Sequence, residues 1–442
     1  MVREKIFNKI YPLIKRIKES DIGRRMATGA FWSFTGNALA KVITLVSGVI
    51  CAHILTKEEY GEYGMINSTI SMFVIFGSAG LGVTATKFIS EYKVTCKRKA
   101  GGMYLLTNRF AFFTGLLSTF VILVFADYLS SVTLKAPHLV NALRIGALLL
   151  FVTIMNGAQN GVLLGFENFK SKAINTLVGS LAESFFLLLG AYLYGVFGAV
   201  LGFGMGYVVL FVCNYFSIRK DLANNGITRD FLRIEKEDYR VLYSFSFPAA
   251  LSSILVGPAF WVVRTILVQN SGFSELAVYE AANYWNAIIL FIPTAVTQII
   301  LPILTSIPKE DKLKFWKVLR ANFYLNTGVA FILALGASIL SPLLMALYGE
   351  EYSHDYSVLI ILVLSTVFCV ASTVVGNSIV STGKMWIGFL FNIIWSLLFV
   401  TLSWFFISKG LGAKGISCAL LVSYLLHTIY QFVYLRMQKK CN

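Results

Sequence analysis

FWSFTGNALAKVITLVSGVICA, residues 31–52, holds one charged side chain, Lys41, near the middle of a run that is otherwise apolar, small or neutral. About 20 such residues are what an α-helix needs to cross the hydrocarbon core of a bilayer, so the stretch reads as a membrane span. Ser33, Asn37, Lys41, Thr44 and Gly48 recur at spacings of four, four, three and four, which places them on one helix face. An ionised residue half-way through a bilayer costs roughly 2.5–3.5 kcal/mol on insertion scales, and a chain that keeps one is using it.

The rest of the chain agrees on the solvent. Of 442 residues 57% are hydrophobic and 14% charged, with a mean hydropathy of +0.72, whereas soluble domains carry roughly 25% charged residues. Twelve apolar runs follow one another, at roughly 31–52, 64–90, 104–126, 141–164, 172–195, 197–217, 243–268, 277–305, 321–347, 356–382, 386–407 and 413–435. Tyr194, Gly195 and Val196 mark the junction of the fifth and the sixth, a break so short that the pair could be misread as one re-entrant unit, but the count stays at twelve. With the amino terminus in the cytoplasm, 29 Lys and Arg fall in the leader, the cytoplasmic loops and the carboxyl terminus, against four (Lys57, Lys135, Lys409 and Lys414) on the other face. Short cytoplasmic loops retain basic residues, so both termini are expected to be cytoplasmic. The net charge of +16 is then a topology signal, and nucleic acid is not an expected partner.

The leader, residues 1–29, alternates Ile6, Phe7, Ile10, Ile14 and Ile17 with Lys5, Lys9, Lys15 and Lys18, the pattern of a basic amphipathic helix lying on membrane lipids. The six cysteines and four histidines show no spacing suited to a disulfide framework or a metal. No cofactor is implied, and there is no G-x-x-x-x-G-K-[ST] phosphate loop.

A shift of 216 residues aligns Phe31 with Phe247, Leu39 with Leu255, Glu59 with Glu275, Tyr63 with Tyr279 and Asn67 with Asn283; a shift of 217 aligns Asn160 with Asn377 and Asn175 with Asn392. The expected fold is therefore an all-α membrane protein of about twelve spans in two six-helix lobes, 30–217 and 243–435, joined by a cytoplasmic linker at 218–242 and closed by a tail at 436–442. Two such lobes related by an axis along the membrane normal enclose a cavity that rocking opens to each side in turn.

The candidate site is cationic and amide-rich. Lys41 with Asn37 on the first span, Arg264 beside Ser253 and Gly257 on the seventh, and Arg144 at the start of the fourth suit an anion. Asn156, Asn160, Asn283 and Asn286 offer paired donors and acceptors for sugar hydroxyls, or equally for packing between membrane helices. Lys87 and Arg109 lie near span ends, within reach of headgroups. Only two acids, Glu183 and Glu280, lie within apolar runs. Glu183 is the candidate for ion coupling, to H+ or Na+, or for a structural ion pair with Lys41. Pro293 and Pro302 suggest kinks in the eighth span.

Three stretches carry a resemblance: RRMATGAFWSFTGNALAKVITLVSGVICAHILTKEEYGEYGMINS at 24–68, GVLLGFENFK at 161–170 and GLGAKGIS at 410–417. Together they resemble the polysaccharide-exporter branch of the multidrug/oligosaccharidyl-lipid/polysaccharide superfamily, and more closely the Wzx-type O-antigen or capsule-unit flippases. The resemblance implies a MATE-like fold and no enzymatic activity. It also implies a substrate, an undecaprenyl-pyrophosphate-linked oligosaccharide moved from the inner to the outer leaflet of a bacterial plasma membrane, with polysaccharide polymerase machinery as a partner. Two relatives fit less well. MATE-type cation antiporters, the alternative, use intramembrane carboxylates where the first span here has Lys41, and lipid II flippases usually have two further spans. A membrane polymerase or ligase, the least favoured alternative, would carry a long outer loop.

Overall fold

The computed structural model describes the backbone of residues 21–441 apart from Ala79, Leu232, 236–237, 243–245, 247–253, 306–311 and 382–383. The leader helix expected before residue 21, and the readings that involve Phe247, Ser253 and the side chain of Pro302, lie outside the described residues.

Twelve long helices carry the described chain: α1 (Asp21–Ile54), α2 (Lys57–Ser78), α3 (Leu81–Thr95), α4 (Lys97–Tyr128), α5 (Val140–Gly165), α6 (Phe169–Asn224), α7 (Val256–Ser271), α8 (Phe273–Thr305), α9 (Lys312–Ala346), α10 (Tyr356–Ser381), α11 (Met385–Ser408) and α12 (Gly412–Cys441). Eight are long and apolar enough to cross a membrane, and the bent pair α2–α3 makes a ninth. The second arm of α6, with α7 and α8, brings the helical segments that match the twelve apolar runs to twelve among the described residues. Phe113, Leu116, Leu117, Phe120 and Val124 point outward from α4. Outward apolar side chains of this kind meet lipid in a multi-pass membrane protein.

Two segments depart from the apolar runs. The run 64–90 is broken at Gly80, whose φ of 71° ends one helix and starts the next, with a bend of 41°. The bend brings Gly82 of α3 against the backbone of Gly157 and Gly161 on α5. In α6 the break is a hairpin, since Tyr194 and Gly195 leave helical geometry (φ −137° and 56°) and the two arms pack back to back. Gly190 rests on Gly198, and Gly202 on the Phe186 carbonyl. The fifth and sixth runs are therefore two separate spans.

The lobes are built alike, and the repeat explains how. Gly195 and Gly412 correspond at a shift of 217, and both hold positive φ (56° and 48°) where the sixth helix of each lobe begins. In each lobe the matched acid from the start of the second helix reaches this turn. Glu275 Oε2 accepts from the Ala413 backbone N–H at 2.7 Å, and Glu59 Oε1 lies 3.3 Å from where a Cβ on Gly195 would be. A carboxylate on a helix N-terminus satisfies an orphan N–H and opposes the positive end of the helix dipole, worth about 1 kcal/mol. Glu59 Oε2 also accepts from the Thr56 N–H and hydroxyl, both at 2.9 Å. Glu275 thus caps the last helix of its lobe, while Glu59 lies beside the corresponding turn of the other lobe and bonds Thr56.

The expected linker is partly helical. α6 runs on to Asn224, a turn forms at Arg229–Phe231 and another at Asp238–Val241. The segment docks on the amino-terminal end of α4 through Arg98–Glu235 at 3.0 Å, and Ser246 meets Thr84 of α3 at 2.7 Å.

Candidate functional site

The lobes meet along α1 and α2 on one side and α7 and α8 on the other. Two contacts set the register of α1 on α8. Lys41 Nζ lies 6.0 Å from the Phe291 ring centre, and a Cβ on Gly48 would lie 3.8 Å from Tyr284. Both steps, 41 to 48 and 291 to 284, are seven residues, about 10 Å of helix rise. The polar stripe of α1 therefore faces the seam between the lobes, with Lys41 one level below Gly48. Lys41 is partly exposed there and makes no ion pair or hydrogen bond among the described residues.

Above that level a cavity of about 340 Å³ opens between α2, α7 and α8. Tyr63, Asn67 and Ser71 line it from the first lobe, and Gly257, Phe260, Arg264, Glu280, Asn283 and Tyr284 from the second. Asn67 and Asn283, matched by the repeat, face the same space, and Asn67 Oδ1 has no hydrogen-bond partner among the described residues. Arg264 Nε donates to Glu280 Oε1 at 2.5 Å, with 11% of each side chain exposed. The guanidinium centre lies 5.6 Å from the Phe260 ring centre and 5.3 Å from that of Tyr279. Arg264 lines the cavity, and its charge is already answered by Glu280. The two are eight residues either side of Gly272, the turn between α7 and α8, so the sequence held the signal for this pair.

Beyond the cavity the lobes are shut. Tyr60 packs against Tyr348 and Tyr352, with ring centres 6.2 and 6.5 Å away, and all three hydroxyls are buried without a partner among the described residues. Lys57 of the first lobe donates to the Glu351 carbonyl at 2.8 Å and lies 3.6 Å from the Asp355 carboxylate of the second. Trp261 Nε1 donates to Thr69 Oγ1 across the seam at 3.0 Å, and Gln269 donates to the Thr133 carbonyl at 2.7 Å. The backbone of Gly61 lies directly on the Phe273 carbonyl. None of this plug was foreseen, although Tyr63 and Tyr279 were matched by the repeat.

The other expected residues divide. Glu183 packs on Gly206 of the opposing α6 arm, is only partly covered, and lies within electrostatic range of Tyr63, Tyr207 and Tyr284. It is not one of the residues that line the cavity, and among the described residues it forms no ion pair with Lys41. Asn37 shares the α1 stripe and is partly exposed. Arg144 does not join this site: it pairs with Asp127 at 2.8 Å, both side chains well exposed, between the ends of α4 and α5. Asn156, Asn160 and Asn286 are turned to packing. Asn156 donates to the Tyr207 carbonyl at 2.8 Å, Asn160 Oδ1 accepts from Asn214 at 3.3 Å, and Asn286 accepts from Thr366. An amide buried between membrane helices gains about 0.6–2 kcal/mol from such a partner, and helix periodicity alone does not say which neighbour it faces. Arg109 is exposed.

Two lobes of six spans about a seam with a polar cavity define a transporter-like fold. A solved inward-facing multidrug resistance MATE family transporter of the MOP superfamily matches it with a TM-score of 0.79 at 17% identity, over 91% of this chain and 95% of that one. Residues 26–308 match the family described as polysaccharide biosynthesis protein, and the chain belongs to that family. Among curated relatives, the EPS I polysaccharide export inner membrane protein EpsE of Ralstonia solanacearum is 21% identical, over 87% of this chain and 88% of its own length. The succinoglycan biosynthesis transport protein ExoT of Rhizobium meliloti strain 1021 is 24% identical, over 76% of this chain and 65% of its own. These relatives are named for export and transport, not for an enzymatic reaction.

Proposed function

We propose that the chain is a flippase of a bacterial plasma membrane, with both termini cytoplasmic. It moves an oligosaccharide linked to undecaprenyl pyrophosphate, an O-antigen or capsule repeat unit, from the inner to the outer leaflet. Its units are the leader (1–29), the lobes (30–217 and 243–435), the linker (218–242) and the tail (436–442), and polymerase machinery takes the product. The reading is supported by family membership and by polysaccharide-exporting relatives. One observation carries it: Lys41, a cation on the seam between lobes with no ion pair among the described residues, is where a diphosphate's charge would offset the cost of burying an ammonium.

In this orientation the tyrosine plug closes the outer side, and the head group enters from the cytoplasm while the polyprenyl tail stays in lipid. Asn67 and Asn283 bond sugar hydroxyls in the cavity, Arg264 takes the diphosphate as the outer side opens, and Glu183 couples the cycle to H+ or Na+.

Lys41→Ala is expected to lower surface polysaccharide in complemented cells at least about tenfold at equal protein level, the effect of losing about 1.4 kcal/mol of charge interaction. Lys41→Arg is expected to retain most of it. Surface polysaccharide unchanged in Lys41→Ala would remove Lys41 from the transport path.

A further inference from the structure

Glu280 does more than neutralise Arg264, because its side chain crosses the seam. A Cβ added to Gly64 of the first lobe would lie 2.9 Å from Glu280 Cγ, so the carboxylate arm lies over bare backbone of the opposite lobe. The repeat makes this arrangement one-sided: a shift of 216 puts Gly48 at the place of Arg264 and Gly64 at the place of Glu280. Where the second lobe has a cation and an acid, the first has two glycines, and one of them makes room for the acid.

We propose that Glu280 competes with the substrate's phosphoryl oxygens for Arg264, holding the anion-binding edge of Arg264 while the lobes are closed at the Lys57 end and yielding it to a diphosphate when they part. The inference rests on the anionic-substrate reading above. A guanidinium presents its donors in a planar fork that fits carboxylate and phosphate oxygens alike, and Phe260 and Tyr279 flank that fork. Left bare in a dry cavity, Arg264 would be an uncompensated buried charge. Glu280 prevents this between transport events. Because Gly64 belongs to the other lobe, parting the lobes removes the surface on which Glu280 rests, admits water to its carboxylate and weakens the pair. A diphosphate then takes the freed donors, and closure returns Glu280 to Arg264 and expels the anion outward.

The test is calorimetric binding of inorganic pyrophosphate to the full-length protein in lipid nanodiscs. Glu280→Gln keeps the shape and removes the competing charge, so it is expected to bind pyrophosphate about tenfold more tightly than wild type, or better. The gain should vanish in Arg264→Gln/Glu280→Gln, in which both partners are neutral. Should Glu280→Gln fold poorly, Glu280→Asp withdraws the carboxylate by one methylene and is expected to give a smaller gain of the same sign. Wild-type binding with no gain in a folded Glu280 variant overturns the inference and leaves the anionic-substrate reading standing, as does a gain that persists without Arg264. Absence of pyrophosphate binding in every variant overturns that reading, and this inference with it.

Discussion

Gly61→Ala is expected to hold the outer side of the protein ajar. Gly61 on α2 and Phe273 at the start of α8 belong to opposite lobes, and a methyl group on Gly61 would run into the Phe273 carbonyl oxygen and carbon. Both partners are backbone at helix starts, so no side chain can swing away. Forcing an extra carbon into such a contact costs about 1–3 kcal/mol, and here the cost falls on the closed state alone. The closed-to-open ratio should drop about tenfold for each 1.4 kcal/mol of that cost. In a cysteine-free background, Asn67→Cys placed in the cavity should then react with a membrane-impermeant maleimide from outside about tenfold faster when Gly61→Ala is also present. Equal labelling rates would mean that this contact does not keep the lobes closed.

Arg264→Ala is expected to be the most destabilising of the charge substitutions, by about 3–5 kcal/mol, because it leaves the Glu280 carboxylate buried without its partner. The remaining acid lies against Gly64 and the apolar flank of the cavity. Replacing both residues, as Arg264→Leu/Glu280→Leu, should recover most of the lost stability, since an apolar pair of similar volume often equals a buried ion pair, yet transport should stay abolished. Arg144→Ala is the contrast. Its pair with Asp127 is solvent-exposed, so the change should stay within about 0–1 kcal/mol. Thermal unfolding in detergent, followed by tryptophan fluorescence, separates these cases. An Arg264→Ala variant as stable as Arg144→Ala would show that the Arg264–Glu280 pair is not buried as described.

Hydropathy marks the apolar segments, because the cost of exposing peptide groups to lipid makes a crossing helical and apolar along its length. Even the Tyr194–Gly195 hairpin showed as a short break. The repeat went further, since Gly195 and Gly412 make the same positive-φ turn, with Glu59 and Glu275 beside it. Helix periodicity also put Lys41 on a polar face, and that face meets the other lobe. What periodicity does not contain is the identity of the neighbour a face meets. For that reason the sequence leaves Asn156, Asn160 and Asn286 open between sugar contacts and helix packing, and Arg144 between the cavity and outer headgroups; in the structure the three amides bond neighbouring helices and Arg144 pairs with Asp127. The tyrosine plug was hidden for another reason: Tyr60, Tyr348 and Tyr352 are far apart in sequence and converge only when the lobes pack. The break at Gly80 was masked by an apolar run that continues on both sides of it.

The central claim is that an anionic lipid-linked head group crosses between these lobes past Lys41. The direct measurement is transbilayer movement in proteoliposomes of a fluorescent polyprenyl diphosphate bearing a short oligosaccharide, run beside a cationic dye. The account predicts that the wild-type protein moves the diphosphate lipid, that Lys41→Ala does not, and that the dye stays where it is. Movement of the dye alone, abolished by Glu183→Gln, would contradict it and make this protein a cation exporter.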